Sequence, residues 1–300
     1  HILRAKSAGE GGPTDTSRDY EYTDWQALGR QVNAFLGDVE NEVPRSRPLD
    51  PVPREIPPRA GKSFRRSEKL LRDFDKAARL VRRFLMDRYG EAEADALHRA
   101  AREKYKAIIP QIMWVKGPRA RVMNAFLCGT AQEIAVYQAV KERGGTAAEA
   151  WGICHEANRL SMKEFAKWKR WLLKRFMFSR LVRRIARRRE ERHELVQAGD
   201  FEVRYVTGDG SDFDLGVDYL RCGNLELAKK LGVEEFAPYV CMSDIVLSDA
   251  LGWGLTRTQT LADGCSHCDF RFKKDAETQI SSKTSEVQQT IERIRKAEES

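Results

Sequence analysis

FEVRYVTGDGSDFDLGVDY, residues 201–219, is the stretch that decides the fold. Apolar residues alternate with polar ones at Phe201, Val203 and Tyr205, and the alternation returns at 213–219 after a Gly-Asp-Gly turn. A period of two is typical of strands with one buried face, and glycine-rich turns of this kind join antiparallel neighbours. The sequence therefore predicts a β-hairpin here, in a chain that is otherwise rich in helical patterns.

The chain before this hairpin has the period of α-helices. Apolar residues recur every three to four positions in four segments that begin near Ser67, Glu91, Pro118 and Thr146. Thr146 has capping-box spacing with the acidic residue three positions later, and the fourth helix is expected to continue into a strongly basic stretch. Residues 63–198 are therefore predicted to form a helical region of the bundle type.

The chain after the hairpin returns to helices and then to strands. Helical spacing occupies 225–251, with a break near Gly232, and strand patterns follow at 254–261 and 267–273. Together with the hairpin, these patterns predict a four-stranded antiparallel sheet with inserted helices, in a unit that spans 199–274. The predicted fold class is α+β, with a helical bundle first and the sheet after it.

The two ends of the chain differ from its middle. Seven of the ten prolines lie at or before Pro58, and proline excludes a helix interior or a central strand. Residues 1–62 are therefore predicted to be an extended arm, with one short helix over 25–35 as its docking face. Residues 275–300 are polar and helix-prone, and are predicted to be a helical tail.

Composition limits the class of protein. A chain of 300 residues can bury a core without disulfides, and its six cysteines show no dense framework, so reduced thiols in a cytoplasmic protein are expected. No run of eighteen apolar residues and no secretion-signal pattern occurs. A spanning helix is not expected.

Positive charge is concentrated in residues 163–192. This segment holds thirteen Lys or Arg and three Glu, a local charge of +10, so the rest of the +8 chain carries −2. Helical spacing places Lys163, Lys167, Arg170 and Lys174 on one predicted stripe, opposite an aromatic stripe of Phe165, Trp168, Leu172 and Phe176. The pattern has two interpretations. The helix binds peripherally to a membrane surface or to a protein partner, or its aromatic stripe packs on the bundle while the charges face solvent. Nucleic acid is a weaker candidate, since no recognition motif accompanies the charge.

Chemistry-bearing residues cluster in the last third of the chain. Cys241, Asp244 and Ser248 are spaced to share one face of a helix, which suits either a catalytic surface or a packed thiol with a capping carboxylate. Cys268 lies on the apolar face of the last strand, where a thiol is normally inert unless a cation such as Arg257 is near.

A zinc site is an alternative for the same segment. Cys265 and Cys268 form one Cys-x2-Cys pair that Cys222, Cys241 or His267 could complete. A structural zinc motif normally shows two such pairs, so no cofactor is predicted and zinc stays the alternative.

LTRTQTLADGCSHCDFRF, residues 255–272, resembles the C-terminal signature of the L-2-amino-thiazoline-4-carboxylic acid hydrolase family. In that family an Arg-Thr strand leads through a glycine turn to Cys-Asp-Phe-Arg-Phe. The upstream Cys222 and the Cys-Met-Ser-Asp element at 241–244 are similar to the family pattern as well. Cys265 and His267 lie outside the signature, and the resemblance extends over roughly residues 65–273.

The resemblance implies a hydrolase that opens a small cyclic amidine at a carbon–nitrogen/carbon–sulfur centre. Water adds to the ring carbon between nitrogen and sulfur, and the ring opens to an N-carbamoyl cysteine. Such chemistry needs a nucleophile, a base and a cation for the substrate carboxylate. The candidate catalytic residues are Cys268, Cys241, Asp244 and Cys222. The candidate substrate-binding residues are Arg257, Arg271, Thr260 and Asp269.

A non-catalytic role is the competing interpretation. Gly264, Cys268 and Phe270 alone are similar to vinyl-reductase-type small-ligand-binding domains, which implies a binding module. In this alternative the sheet holds a small ligand or a metal, while residues 163–192 and the arm dock on a membrane surface or a larger complex. Self-association into a homo-oligomer is compatible with either interpretation.

Overall fold

The first half of the structure is a bundle of four helices. A computed structural model describes residues 60–116, 120–189 and 200–299, and the predicted N-terminal arm with its short helix lies outside these ranges. In the bundle the first helix packs on the second and fourth, and the third packs on the same two. The four helices are α1 (Ala60–Tyr89), α2 (Glu91–Ile108), α3 (Ala120–Lys141) and α4 (Ala147–Glu164).

The bundle forms where the helical period predicts it. Its interior is filled by Tyr105, Leu127, Ile134 and Trp151, all almost fully buried, as expected for apolar stripes that face one another. The hydroxyl of Thr146 accepts a hydrogen bond from the Glu149 N–H at 3.1 Å, so the predicted cap of α4 is present. Helix α1 begins at Ala60 in the structure, before the predicted start at Ser67.

The basic segment does not continue α4, which corrects one expectation. Helix α4 ends at Glu164, because Phe165 and Ala166 adopt extended backbone conformations. Two separate helices follow, α5 (Lys167–Met177) and α6 (Arg180–Arg189). Lys163 and Phe165 therefore do not share a helix with Trp168 and the residues after it, and the two predicted stripes are interrupted.

The second half of the structure contains a five-stranded sheet in the order β1-β2-β4-β3-β5. The predicted hairpin is present, and its register places Val203 opposite Tyr219 and Tyr205 opposite Val217. The α+β class and the antiparallel core of the sheet are confirmed. The strands are β1 (Glu202–Thr207), β2 (Leu215–Arg221), β3 (Leu255–Arg257), β4 (Cys268–Phe272) and β5 (Gln279–Ile280).

The fifth strand lies in the segment that was predicted to be a tail. Strand β5 pairs in parallel with β3, through Thr256 opposite Gln279 and Arg257 opposite Ile280. The final helix, α10 (Ser285–Glu299), buries Val287. The sheet therefore has five strands and not the expected four. Residues after 275 contribute to the core, because the side chains of Ile280 and Val287 are buried.

Three helices separate β2 from β3 along the chain. Helix α7 (Gly223–Lys230) packs on α3, and α9 (Ser243–Leu251) packs on α4 and α5, with the single-turn α8 (Ala237–Val240) between them. The strand end at Gly254 approaches β4 closely, since a Cβ there would lie 2.1 Å from the Lys273 carbonyl oxygen. Glycine at φ +55° permits this approach. The proposed division into 1–62, 63–198, 199–274 and 275–300 stays a prediction.

Candidate active site

A small cavity lies between the sheet and helices α3, α7, α8 and α9. It has a volume of about 100 Å³. Five of the eight predicted site residues contribute to its wall, although they come from separate elements of the last third of the chain. These residues are Cys222, Cys241, Asp244, Arg257 and Cys268.

The backbone brings the three thiols together. Cys268 begins β4 opposite Tyr219 of β2, and β2 ends immediately before Cys222, so the sheet register places both residues near one edge of the cavity. Cys241 lies in the short turn between α8 and α9, on the helical side of the same cavity. It does not share a regular helix with Asp244 as the spacing suggested, but both residues still line the cavity.

Arg257 connects the sheet to these helices. Its side chain is 2% exposed, and its Nη1 donates a hydrogen bond to the Cys241 carbonyl oxygen at 2.8 Å and to the Asp244 carboxylate. The guanidinium carbon lies 5.5 Å from the centre of the Phe270 ring. Its Nε has no hydrogen-bond partner among the described residues. A buried donor without a partner is costly, so this N–H group is suited to donate a hydrogen bond to a ligand oxygen.

The three thiols are held in their neutral form. Burial raises the pKa of Cys222, of Cys241 and of Cys268 to about 12 each. For Cys241 the guanidinium of Arg257 opposes this rise, and for Cys268 the opposing group is the Leu261 N–H, which donates to Sγ at 3.2 Å. A thiol is a poor nucleophile until it loses its proton, so reaction here requires a base or a cationic ligand.

Asp244 is the candidate for this base. Burial raises its pKa above the ordinary value of 3.8, while the charge and hydrogen bond of Arg257 oppose the rise. Its side chain keeps 32% exposure because it faces the cavities around it. Asp244 also raises the pKa of all three thiols through its negative charge.

Three predicted substrate-binding residues lie outside the wall of this cavity. Arg271 points to the opposite side of the sheet and binds the buried Asp218 at 2.8 Å. The carboxylate of Asp269 accepts hydrogen bonds from the backbone and hydroxyl of Thr258. Thr260 is buried and caps the following turn through Asp263. Alternation along β4 explains the first two, because they face away from Cys268.

Several residues of the wall escaped prediction. Asn224 follows Cys222 by two positions and lines the cavity, and Phe126 reaches it from α3. Tyr219 and Phe270 supply aromatic surface from the sheet and lie 5.0 Å apart between ring centres. The signal for Tyr219 was present in the alternation of the hairpin, whereas Phe126 resembled any other apolar residue of its helix.

The alternative zinc ligands do not gather with the thiols. Cys265 and His267 are not part of the cavity wall, and the His267 ring lies beside Gln259 and Ser266. Within residues 60–116, 120–189 and 200–299, no group of three or more His, Cys, Asp or Glu side chains is arranged to hold a metal ion. In the same ranges no helix has an apolar stretch long enough to cross a lipid bilayer.

The fold and the cavity together define a class of protein. It is an α+β protein in which a helical bundle supports a sheet, and thiols, a carboxylate and a guanidinium line one small cavity between them. A sequence model of the L-2-amino-thiazoline-4-carboxylic acid hydrolase family matches residues 119–272, and the chain belongs to that family. The matched segment contains all five predicted residues of the cavity wall. No curated protein and no solved structure is significantly similar to the chain.

The electrostatic coupling between Asp244 and the thiols leads to a first prediction. Replacing Asp244 by asparagine removes a negative charge and leaves an amide oxygen that can accept from Arg257. We expect the thiol pKa values to fall, and alkylation of Cys241 and Cys268 to become severalfold faster, since one pKa unit changes the thiolate fraction about tenfold. Iodoacetamide labelling at a fixed pH, followed by peptide mass spectrometry, measures these rates.

Asp249→Asn is the matched control for this prediction. Asp249 lies on the same helix, is more exposed, pairs with Arg295 at 3.1 Å and does not line the cavity. Its rates should equal those of the unmodified chain. Equal labelling rates in Asp244→Asn and Asp249→Asn, with melting temperatures unchanged, would show that Asp244 does not control the thiols.

Proposed function

We propose that the protein is a hydrolase that opens a small cyclic amidine of the 2-aminothiazoline-4-carboxylate type in the thiol-lined cavity. The observation that carries this proposal is the convergence of Cys268, Cys241, Asp244 and Arg257 on one cavity within the family-matched segment. The cavity volume of about 100 Å³ is below the roughly 300–1,000 Å³ of drug-sized sites, in keeping with a small substrate.

Cys268 is the proposed nucleophile. The Leu261 N–H donates to its sulfur, a contact that stabilises a thiolate as it forms. In the first step the Cys268 proton passes to Asp244, and the sulfur bonds to the ring carbon of the protonated amidine while the carbon–nitrogen π pair moves onto nitrogen. That pair then re-forms the carbon–nitrogen double bond as the ring carbon–sulfur bond breaks, and Asp244 gives its proton to the departing substrate sulfur.

Water completes the reaction. Its oxygen bonds to the same carbon with Asp244 again as the base, and the Cys268 sulfur leaves and regains a proton. The product is an N-carbamoyl cysteine, and the atoms of one water molecule are the only addition. Cys241 is the alternative nucleophile and Cys222 the lesser one. Arg257 is proposed to bind the substrate carboxylate through donors that it does not use on Cys241 and Asp244.

Because the thiol pKa is high, the bound substrate is proposed to help activate the thiol. A cyclic amidine carries a positive charge when protonated, and a cation beside a buried thiol favours the thiolate. A neutral thiol in the free protein is therefore consistent with a nucleophile that is activated only when substrate is bound.

The second prediction concerns activity. Cys268→Ser and Asp244→Asn should each lower the hydrolysis of 2-aminothiazoline-4-carboxylate by about 100-fold or more, the usual contribution of a nucleophile or a general base. Cys128→Ser should keep the full rate, because Cys128 lies on α3 outside the cavity wall. Liquid chromatography with mass detection of carbamoyl cysteine measures turnover. No turnover by the unmodified chain, or a full rate in Cys268→Ser, would contradict the assignment.

We also propose that helices α5 and α6 dock the protein on an anionic membrane surface. Helix α5 has no fully buried residue, and Trp168 and Trp171 are each 55% exposed. Leu173, Phe176 and Leu181 are exposed as well. Large apolar side chains within a basic helix suit the boundary between lipid headgroups and acyl chains, and the Lys and Arg around them complement anionic lipids.

The third prediction tests this surface. The chain should float with vesicles in which about one third of the lipid is phosphatidylserine. It should remain unbound with vesicles of phosphatidylcholine alone. The double variant Trp168→Ala/Trp171→Ala should lose most of the binding. Val122→Ala is the control, because Val122 is 50% exposed but lies on α3. Equal flotation with both lipid compositions, or by the double variant and the control, would contradict docking by these helices.

A further inference from the structure

A second cavity adjoins the thiol-lined one. It has a volume of about 270 Å³ and lies among helices α3, α4, α7 and α9. The two cavities share Phe126, Asn224, Val240 and Asp244 in their walls. Asp244 therefore lies at the boundary between the two cavities, and its negative charge acts on both.

Glu133 is the buried acid of this second cavity. It lies on α3 among alanine and isoleucine residues and is 8% exposed. Its Oε1 accepts hydrogen bonds from the Ser243 hydroxyl at 2.7 Å and from the Asn158 amide at 2.9 Å. Its Oε2 is buried and has no hydrogen-bond partner among the described residues. Burial raises the pKa of Glu133 to about 7, against the effect of these two donors.

The walls of the two cavities differ in the buried polar atoms that have no hydrogen-bond partner among the described residues. Glu133 lines the second cavity and not the first, and its unused atom is an acceptor, Oε2. Arg257 lines the first cavity and not the second, and its unused atom is a donor, Nε. Asn224 lines both cavities and adds a second unused acceptor, its Oδ1. The described wall of the second cavity contains Glu133 and Asp244 but no Lys, Arg or His. A buried acceptor without a partner is costly, so both acceptors favour a ligand that brings N–H groups.

We infer that the second cavity is a binding site for the amidinium or ammonium group of a small zwitterion, whose carboxylate lies across Asp244 on Arg257. Glu133 and Asn224 receive the N–H groups of the ligand, and Asp244 contributes the second negative charge. This inference rests on the proposed function and makes it more specific. It assigns Glu133 and Asn224 as binding residues for the cationic group of the proposed substrate, and neither residue is among the candidates that the sequence predicts.

Three probe compounds separate the two halves of the site. 2-Aminothiazoline has the amidine alone, thiazole-4-carboxylate has the carboxylate alone, and 2-aminothiazoline-4-carboxylate has both. Calorimetric titration of the full chain with each probe is the measurement. In Glu133→Gln the first and third compounds should bind about tenfold or more weakly, as expected for the loss of a charged hydrogen-bond partner. Binding of thiazole-4-carboxylate should change less than about twofold.

Two further variants sharpen the test. Asn224→Ala should weaken the same two amidine compounds without affecting the carboxylate probe. Glu142→Gln is the matched control, because Glu142 is exposed and pairs with Lys104 on the bundle surface. Unchanged binding of thiazole-4-carboxylate to each variant also shows that the protein is folded.

The outcomes distinguish this inference from the proposed function. If Glu133→Gln binds 2-aminothiazoline as tightly as the unmodified chain does, the inference is overturned, while turnover by the unmodified chain leaves the hydrolase proposal standing. If the unmodified chain binds none of the three compounds, the hydrolase proposal falls, and the inference falls with it.

Discussion

The ion pair between Arg257 and Asp244 is the interaction on which the rest of the site depends. Arg257 is buried on a three-residue strand, and its contacts with Asp244 and the Cys241 carbonyl join the sheet to the turn between α8 and α9. Burying a guanidinium is expensive, and removing one partner of such a pair typically costs about 3–5 kcal/mol. Apolar side chains of similar volume would stabilise a packed core here equally well. The buried ion pair therefore indicates a role in binding or catalysis.

The pair also separates two electrostatic environments. On one side Arg257 faces neutral thiols and aromatic rings, and on the other side Asp244 joins Glu133 in an acidic cavity. A small molecule with one charge of each sign would complement both sides at once. The thiols are neutral because burial raises their pKa and Asp244 adds to the rise. A ligand that places a positive charge beside a thiol favours the thiolate and so activates it.

Local patterns predicted much of the fold, and family-specific residues predicted part of the site. The period of two at 201–219 was enough for the first hairpin, and the helical period with its caps was enough for the bundle. Strand β5 was missed because two residues carry no periodic signal. The break at Phe165 was missed because nothing in the apolar spacing marks a change of backbone conformation there.

The contacts that define the site could not be read from the sequence in the same way. Arg257 and Asp244 are thirteen residues apart, and Glu133 and Ser243 are 110 apart, so tertiary packing alone brings each pair together. Arg271 was as plausible a carboxylate clamp as Arg257 until the strand placed it on the opposite face, beside Asp218. Glu133 gave one weak signal, a carboxylate within an apolar stretch of helix.

A crystal structure of the full chain soaked with 2-aminothiazoline-4-carboxylate tests the central claim most directly. We expect ligand density in the cavity, with the carboxylate on Arg257, the ring carbon within reach of the Cys268 sulfur and the amidine directed past Asp244. Thiols dispersed away from Asp244, or ligand density at another site on the surface, would contradict it.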